Sequence, residues 1–167
     1  MPTCTRTTLA ALAGLTLLGA AQAKTYTNNK LGLSFEYPSA WKAQEGVAGT
    51  VVFVAAPPRG GFSPNLNVVA QPVTKAVTPD VLYQATIASL KKVVTDFKIT
   101  NTRTVQVAGV NGREVNFTGR QGQFTLQWRQ TVFIKAGTGY AVTYTRLASD
   151  TANDKDAQAI VQSLKVR

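Results

Sequence analysis

The side chains able to do chemistry in this chain are eight carboxylates and eighteen basic groups. Histidine is absent, and the one cysteine, Cys4, lies near the N-terminus. Without histidine or a later cysteine, the nucleophile–base pairs of serine and cysteine hydrolases cannot be assembled. A metal site would have to be built from oxygen alone, which suits only hard cations. The carboxylates are Glu36, Glu45, Asp80, Asp96, Glu114, Asp150, Asp154 and Asp156. Most sit near predicted helix ends, where capping and the helix dipole explain them. Asp150, Asn153, Asp154 and Asp156 form a loose oxygen cluster without the spacing of an EF-hand. Glu36 and Glu114 are strand residues that a two-carboxylate hydrolase would need to face each other across a cleft; nothing in the sequence brings them together. No G-x-S-x-G pattern occurs. The expectation is a non-enzymatic chain with no cofactor and no metal.

Binding residues are easier to nominate. The segment Pro57-Pro58-Arg59-Gly60-Gly61-Phe62-Ser63-Pro64 is a loop by composition. It carries a cation and an aromatic ring, Arg59 and Phe62. The competing reading of Phe62 is an anchor folded back on a sheet edge. A second group is the polar face of one strand, Gln123, Thr125, Gln127, Arg129 and Thr131, within reach of Arg113 or Arg146 across neighbouring strands. The competing reading there is a face stabilised by cross-strand polar pairs. The candidate contact surface is therefore Arg59, Phe62, Arg113, Arg129 and Arg146. Trp41 and Trp128 keep strand parity with apolar neighbours and are assigned to the core.

The N-terminus supplies a location. Arg6 precedes an apolar run from Leu9 to Ala21, and Ala21-Gln22-Ala23 places small residues where a signal peptidase reads. The run falls short of the roughly 20 residues a transmembrane helix needs. Residues 1–23 are therefore read as a leader removed near Ala23, and 24–167 as one exported domain, secreted or periplasmic. Cys4 lies ahead of the apolar run, where it cannot be a lipidated cleavage-site cysteine, and it departs with the leader. Losing Arg6 leaves 17 basic against 8 acidic residues, a net charge of +9. Outside the cytoplasm that excess favours anionic headgroups, acidic polysaccharide or an acidic protein face. It also favours a soluble monomer. The cations are scattered, with Lys91-Lys92 the only adjacent pair, so nucleic acid is not an expected partner.

The elements that must position these residues follow from periodicity. Lys24 to Tyr37 reads as a hairpin with Leu31, Leu33, Phe35 and Tyr37 alternating inward, ended by Pro38. Thr50 to Ala55 is a continuous apolar strand, covered on both faces. Asn65 to Val73 alternates. Thr78-Pro79-Asp80 starts a helix, and Tyr83, Ile87, Leu90, Val94 and Phe97 give it an apolar stripe over about 17 residues. Val110-Asn111-Gly112-Arg113, Gly119-Arg120-Gln121-Gly122 and Ala136-Gly137-Thr138-Gly139 mark three hairpin turns of a meander, Asn-Gly being the strongest signal. A final helix, capped by Ser149, Asp150 or Thr151, buries Ala157, Ile160, Val161 and Leu164 and runs out through Lys165 and Arg167. The expected class is α+β: one central antiparallel sheet with a helix on each face, an α/β/α sandwich.

The run Leu33-Ser34-Phe35-Glu36-Tyr37-Pro38-Ser39-Ala40-Trp41 resembles the F-x-Y-P-x-x-W opening of the PsbP superfamily. The Asn65–Val73 strand, the helix from Pro79, the Val110–Arg113 turn and the closing Ile160–Leu164 helix fall in that family's order. The resemblance spans about residues 25 to 166. It implies a central antiparallel sheet between helices and a generally non-catalytic protein. Photosynthetic members are lumenal extrinsic subunits of photosystem II that help retain calcium and chloride; other bacterial relatives are exported proteins or adaptors. The first strand here begins almost at the cleavage site, so the extended N-terminal docking segment of the photosynthetic members is missing. The expected function is a non-catalytic exported PsbP-like binding or adaptor module of the envelope, contacting a protein or an anionic surface. The alternative is a small-ligand or lipid-binding protein with a pocket between sheet and helix.

Overall fold

The computed structural model describes residues 22–167, so residues 1–21 of the leader assigned to 1–23 lie outside the described residues. Ten strands and two helices follow in the order β1 (Ala23–Asn28), β2 (Leu33–Pro38), β3 (Lys42–Glu45), β4 (Val52–Ala55), β5 (Asn65–Pro72), α1 (Pro79–Val93), β6 (Thr95–Val107), β7 (Val110–Gln121), β8 (Phe124–Lys135), β9 (Thr138–Leu147), α2 (Asp154–Ser163) and β10 (Lys165–Val166). Every pairing between strands is antiparallel.

The expected single sheet is two sheets. Seven strands run β3-β4-β5-β9-β8-β7-β6, and a separate sheet runs β1-β2-β10. The C-terminus is the reason. The chain leaves α2 after Ser163, and Lys165 and Val166 pair with Ser34 and Leu33 of β2. Residues 164–167 do not continue the helix as expected; Leu164 and Val166 are buried in the main core.

The two faces of the large sheet have different covers. Leu82, Tyr83 and Ile87 of α1 pack on Val115, Phe117, Leu126, Trp128 and Val132. On the other face, Ala157, Ile160 and Leu164 share a core with Leu33, Phe35 and Trp41 and with Val52, Val54, Leu66 and Val68. Trp41 and Trp128 are both buried, as expected. In β4, Val52 and Val54 are fully buried, whereas Phe53 and Ala55 on the opposite face are only half-buried.

Helix α1 begins as its sequence dictates. Thr78 accepts from the Val81 amide at 3.2 Å, with Pro79 in the first turn and Lys91 and Lys92 in the last. It ends sooner than its apolar stripe suggests. Val93-Val94-Thr95 is a β-branched run that gives up the helix, and Asp96 takes a left-handed φ of 56°. Phe97 therefore stands on β6, its ring 4.9 Å from that of Phe117. It meets the same core as the helical stripe, by a strand instead of another turn.

The Asn-Gly turn is displaced. Val107 pairs with Val110, so the two-residue turn is Ala108-Gly109, with φ of 50° and 79°. These are the type I′ angles, for which Asn-Gly is the usual sequence. Asn111 and Gly112 lie inside β7. The second turn falls at Gly122-Gln123, with Gly119 inside the strand, and the third at Ala136-Gly137 as expected.

Candidate functional site

The five expected contact residues fall in three places. Arg59 and Phe62 close the Pro57–Pro64 loop as a small bridge. Arg59 Nε lies 2.9 Å from Asp150 Oδ2. Phe62 packs edge-on to Phe124, ring centroids 5.4 Å apart, and joins the core beneath α1. The ring is thus a loop anchor. Arg113 lies on the α1 face, with its guanidinium 5.6 Å from the Tyr83 ring and its Nε 3.1 Å from Asp80 Oδ1. Only Arg129 and Arg146 come together, on the α2 face.

That face carries the most concentrated polar chemistry of the fold. Gln127 is the register partner of Arg146, and Arg129 that of Tyr144. Arg146 is 7% exposed. It donates to Gln127 Oε1 and to the carbonyls of Leu147 and Ala148 at 2.9–3.0 Å. Its Nε stands 2.8 Å from Asp154 Oδ1, an ion pair whose angle falls short of a hydrogen bond. The Arg129 guanidinium lies 5.6 Å from the Tyr144 ring centroid. Further along, Glu114 is buried and accepts from exposed Arg103 at 2.8 Å. A cleft of about 130 Å³ opens here, lined by Arg103, Glu114, Arg129, Thr131, Gln158 and Val161. It runs on into a trough of about 400 Å³ bounded by Val107, Ala108, Lys135, Gln162 and Lys165.

Sequence reasoning missed Tyr144, Glu114 and Asp154 as members of this cluster. From the sequence, Asp154 reads only as a helix-end charge. The register between Gln127 and Arg146 was the available signal, since two hairpin turns place β7, β8 and β9 side by side.

The Tyr144 hydroxyl is buried with no hydrogen-bond partner. Burial first, and then the Asp154 carboxylate, push its pKa up from the ordinary 10.0. The folded protein keeps the phenol proton over a range in which the unfolded chain releases it. Its contribution is complete below pH 10 and disappears as pH rises through the folded value. Burial raises Tyr26 and Tyr140 in the same direction. Urea unfolding should therefore show stability falling as pH rises above about 10. Tyr144→Phe should flatten that fall, and at neutral pH it should be neutral or slightly stabilising, because it removes a buried unpaired hydroxyl.

Two members of the loose oxygen cluster, Asp150 and Asp154, are committed to arginines. Asp150 is held below its usual pKa of 3.8, first by the Ala152 amide and then by Arg59. Asp154 faces Arg146. Among the described residues no group of three metal-ligating acids or bases converges. Glu36 is exposed on β2 of the small sheet, whereas Glu114 is buried on β7 of the large sheet.

A second concavity lies on the opposite face. Helix α1 does not reach β5, and a groove of about 360 Å³ runs beside it, lined by Val69, Leu82, Leu90, Val93 and Ala141 with Thr86 and Gln71. Val93 is 72% exposed at its end.

The order of strands and both helices can be compared with known folds. Residues 19–166 match the profile of the family described as PsbP-like protein. The chain belongs to the PsbP-like family. No curated protein matches it. Among solved structures, this PsbP-like chain is similar to cyanobacterial PsbP (CyanoP) from Synechocystis sp. PCC 6803, at 16% identity and a TM-score of 0.66, over 93% of this chain and 99% of that one. It is similar to LpqN, involved in cell envelope biogenesis of Mycobacterium tuberculosis, at 14% identity and a TM-score of 0.65, over 87% and 90%. It is also similar to the Saccharomyces cerevisiae Ran-binding protein Mog1p, at 8% identity and a TM-score of 0.61, over 88% and 96%. At these identities the likeness is one of fold. No helix of the described residues is long and apolar enough to cross a membrane.

Proposed function

We propose that this PsbP-like chain is a non-catalytic exported binding module of the cell envelope, matured by cleavage near Ala23, that contacts a protein partner or an anionic envelope surface. The distribution of ion pairs carries this reading. Among the described residues all four ion pairs are made by arginines, Arg59, Arg103, Arg113 and Arg146, and none by a lysine. Half of the eight carboxylates are thereby neutralised inside the molecule. The positive excess is left mainly on lysines, with Arg120, Arg129 and Arg167, and the strongly hydrated ammonium groups suit a diffuse anionic surface. Of the expected contact residues, Arg59, Arg113 and Arg129 stand in three separate places, so they form no single contact surface, and Phe62 and Arg146 serve as supports where they lie. Export is supported by the leader-like first 23 residues and by the involvement of one similar protein, LpqN, in cell envelope biogenesis.

The test has two parts. The protein from its native host is fractionated and its N-terminus sequenced; a start at Lys24 outside the cytoplasm is expected, and a cytosolic chain starting at Met1 or Pro2 would sink export. Purified protein is then co-sedimented with envelope membranes. Lys91→Glu/Lys92→Glu should weaken binding several-fold at low salt, with the difference fading at high salt. Equal binding by both proteins would count against the anionic contact.

The apolar groove beside α1 favours a second reading, a site for a small apolar ligand, since its volume and its few polar groups are those of a ligand site. Thr86→Trp should block it. Unchanged uptake of a fluorescent fatty acid by that variant would dismiss it.

A further inference from the structure

The large sheet ends on very unequal edges. At one end β3 is four residues long, which is a usual way to blunt an edge. At the other end β6 runs for thirteen residues, and nine of them are exposed. It contains no proline, and among the described residues nothing pairs with its outer side. Two register irregularities, between Thr95 and Lys98 and between Ile99 and Asn101, disrupt only its first half. From Thr102 to Val107 its pairing with β7 is regular.

The turn fixes which backbone groups are free. A two-residue type I′ turn is closed by a hydrogen-bonded pair, here Val107 and Val110. Hydrogen-bonded and non-hydrogen-bonded pairs then alternate. Val105 and Arg103 therefore bond inward to β7. Gln106, Thr104 and Thr102 turn their amides and carbonyls outward, at alternate positions along the strand. Their side chains are already occupied on the α1 face. Thr102 Oγ1 lies 3.5 Å from the Tyr83 hydroxyl, Arg113 donates to Thr104 at 3.1 Å, and Gln106 donates to Asn111. On the α2 face, Arg103, Val105 and Val107 border the cleft and the trough that continues from it. The cations there are Arg103, Arg129, Lys135 and Lys165, and among the described residues the only carboxylate lining either is Glu114, already held by Arg103.

We infer that the Thr102–Val107 half of β6 is a docking edge for an extended acidic segment of a partner protein, which adds as an eighth strand. The outward groups of Thr102, Thr104 and Gln106 bond its main chain. Its alternate side chains drop over the α2-side cleft and trough, where carboxylates meet Lys135 and Lys165 and apolar groups meet Val105 and Val161. Strand addition draws affinity from the main chain and specificity from pockets for every second side chain, and both parts are present on one edge. The inference rests on the binding-module reading and specifies the partner's chemistry.

The probe is a fluorescein-labelled peptide of alternating Glu and Val, with a Lys and Val peptide as control, titrated into the purified protein while amide exchange is followed by NMR. The acidic probe should bind and the basic one should not. The amides of Thr102, Thr104 and Gln106 should exchange fast in the free protein and slow down with the probe. Thr104→Pro removes an outward amide without touching the inner ladder, and should weaken binding about tenfold or more. If that variant folds poorly, Lys135→Glu/Lys165→Glu should give a loss of several-fold.

Failure of the acidic probe to bind would overturn the inference. So would slow exchange of those three amides in the free protein, or protection along Leu82–Val93 in place of β6. Protection that grows with protein concentration alone would assign the edge to a second copy of this chain and overturn the acidic partner. A negative result here with intact Lys91/Lys92 dependence of envelope binding would leave the broader reading standing.

Discussion

Gly112→Ala should be strongly destabilising, by about 2–3 kcal/mol, although glycine at this position looks from the sequence like an ordinary turn residue. An added Cβ would lie 2.7 Å from the Val132 carbonyl oxygen, 3.1 Å from Phe133 Cβ and 3.2 Å from Val107 Cγ1. The nearest of these is backbone in the middle of the seven-stranded sheet, so it cannot step aside. Gly112→Asn should be as harmful as Gly112→Ala, because the obstacle is the Cβ itself. At a type I′ turn position asparagine would be tolerated. The mirror-image change is Ala108→Gly. Ala108 holds a φ of 50°, which costs an alanine roughly 1 kcal/mol. Glycine there should stabilise by a few tenths to about 1 kcal/mol, after its extra unfolded-state entropy is discounted. Urea midpoints of the three variants decide the matter. A tolerated Gly112→Asn, or a destabilising Ala108→Gly, would put the turn back at Asn111-Gly112.

Arg146→Ala should cost about 2–3 kcal/mol and should do so by unfolding rather than by lost binding. Removing one partner of a buried pair leaves the other uncompensated. The upper end of that range is trimmed because Asp154 is about one-third exposed. The same substitution strips donors from Gln127 Oε1 and from the Leu147 and Ala148 carbonyls. Replacing both members, Arg146→Met with Asp154→Leu, should recover most of the loss, since a buried ion pair is often no better than an apolar pair of like volume. A double-mutant cycle on thermal unfolding measures the coupling. Arg129→Ala is the comparison. Arg129 is half-buried and holds only a long 3.4 Å contact to the Asp154 carbonyl besides its position over Tyr144. It should cost well under half as much. Equal costs for the two arginines would remove the distinction between a supporting Arg146 and a surface Arg129.

The candidate site was half legible. Arg129 and Arg146 could be nominated because alternation along β8 and β9 shows which residues share a face, and Gly-rich turns show that those strands are neighbours. Their partners could not. Asp154 reads locally as an acid at a helix start, a sufficient explanation that hides its ion pair with a strand residue eight positions earlier. Glu114 reads as a strand acid with no partner in view; in the fold it is buried, and Arg103 comes from β6 to meet it. Phe62 shows the reverse case, since a loop ring with no local partner finds Phe124, sixty-two residues on.

Local signals came through wherever the determinant lies within a few residues. Thr78-Pro79-Asp80 sets the start of α1, Pro38 the end of β2, and Ala136-Gly137 the third turn, each through a conformational preference or a hydrogen bond internal to that stretch. The antiparallel character of the sheet and its two helices followed from periodicity, which records burial on one side of an element. Only the folded molecule could split the sheet in two, because Leu33 meets Val166 across nearly the whole chain. Only it could move a turn three residues from the Asn-Gly signal, because what excludes a side chain at Gly112 is the carbonyl of Val132 on another strand. Periodicity says which face of an element is buried. It does not say against what, and that second fact rests on contacts between residues far apart along the chain.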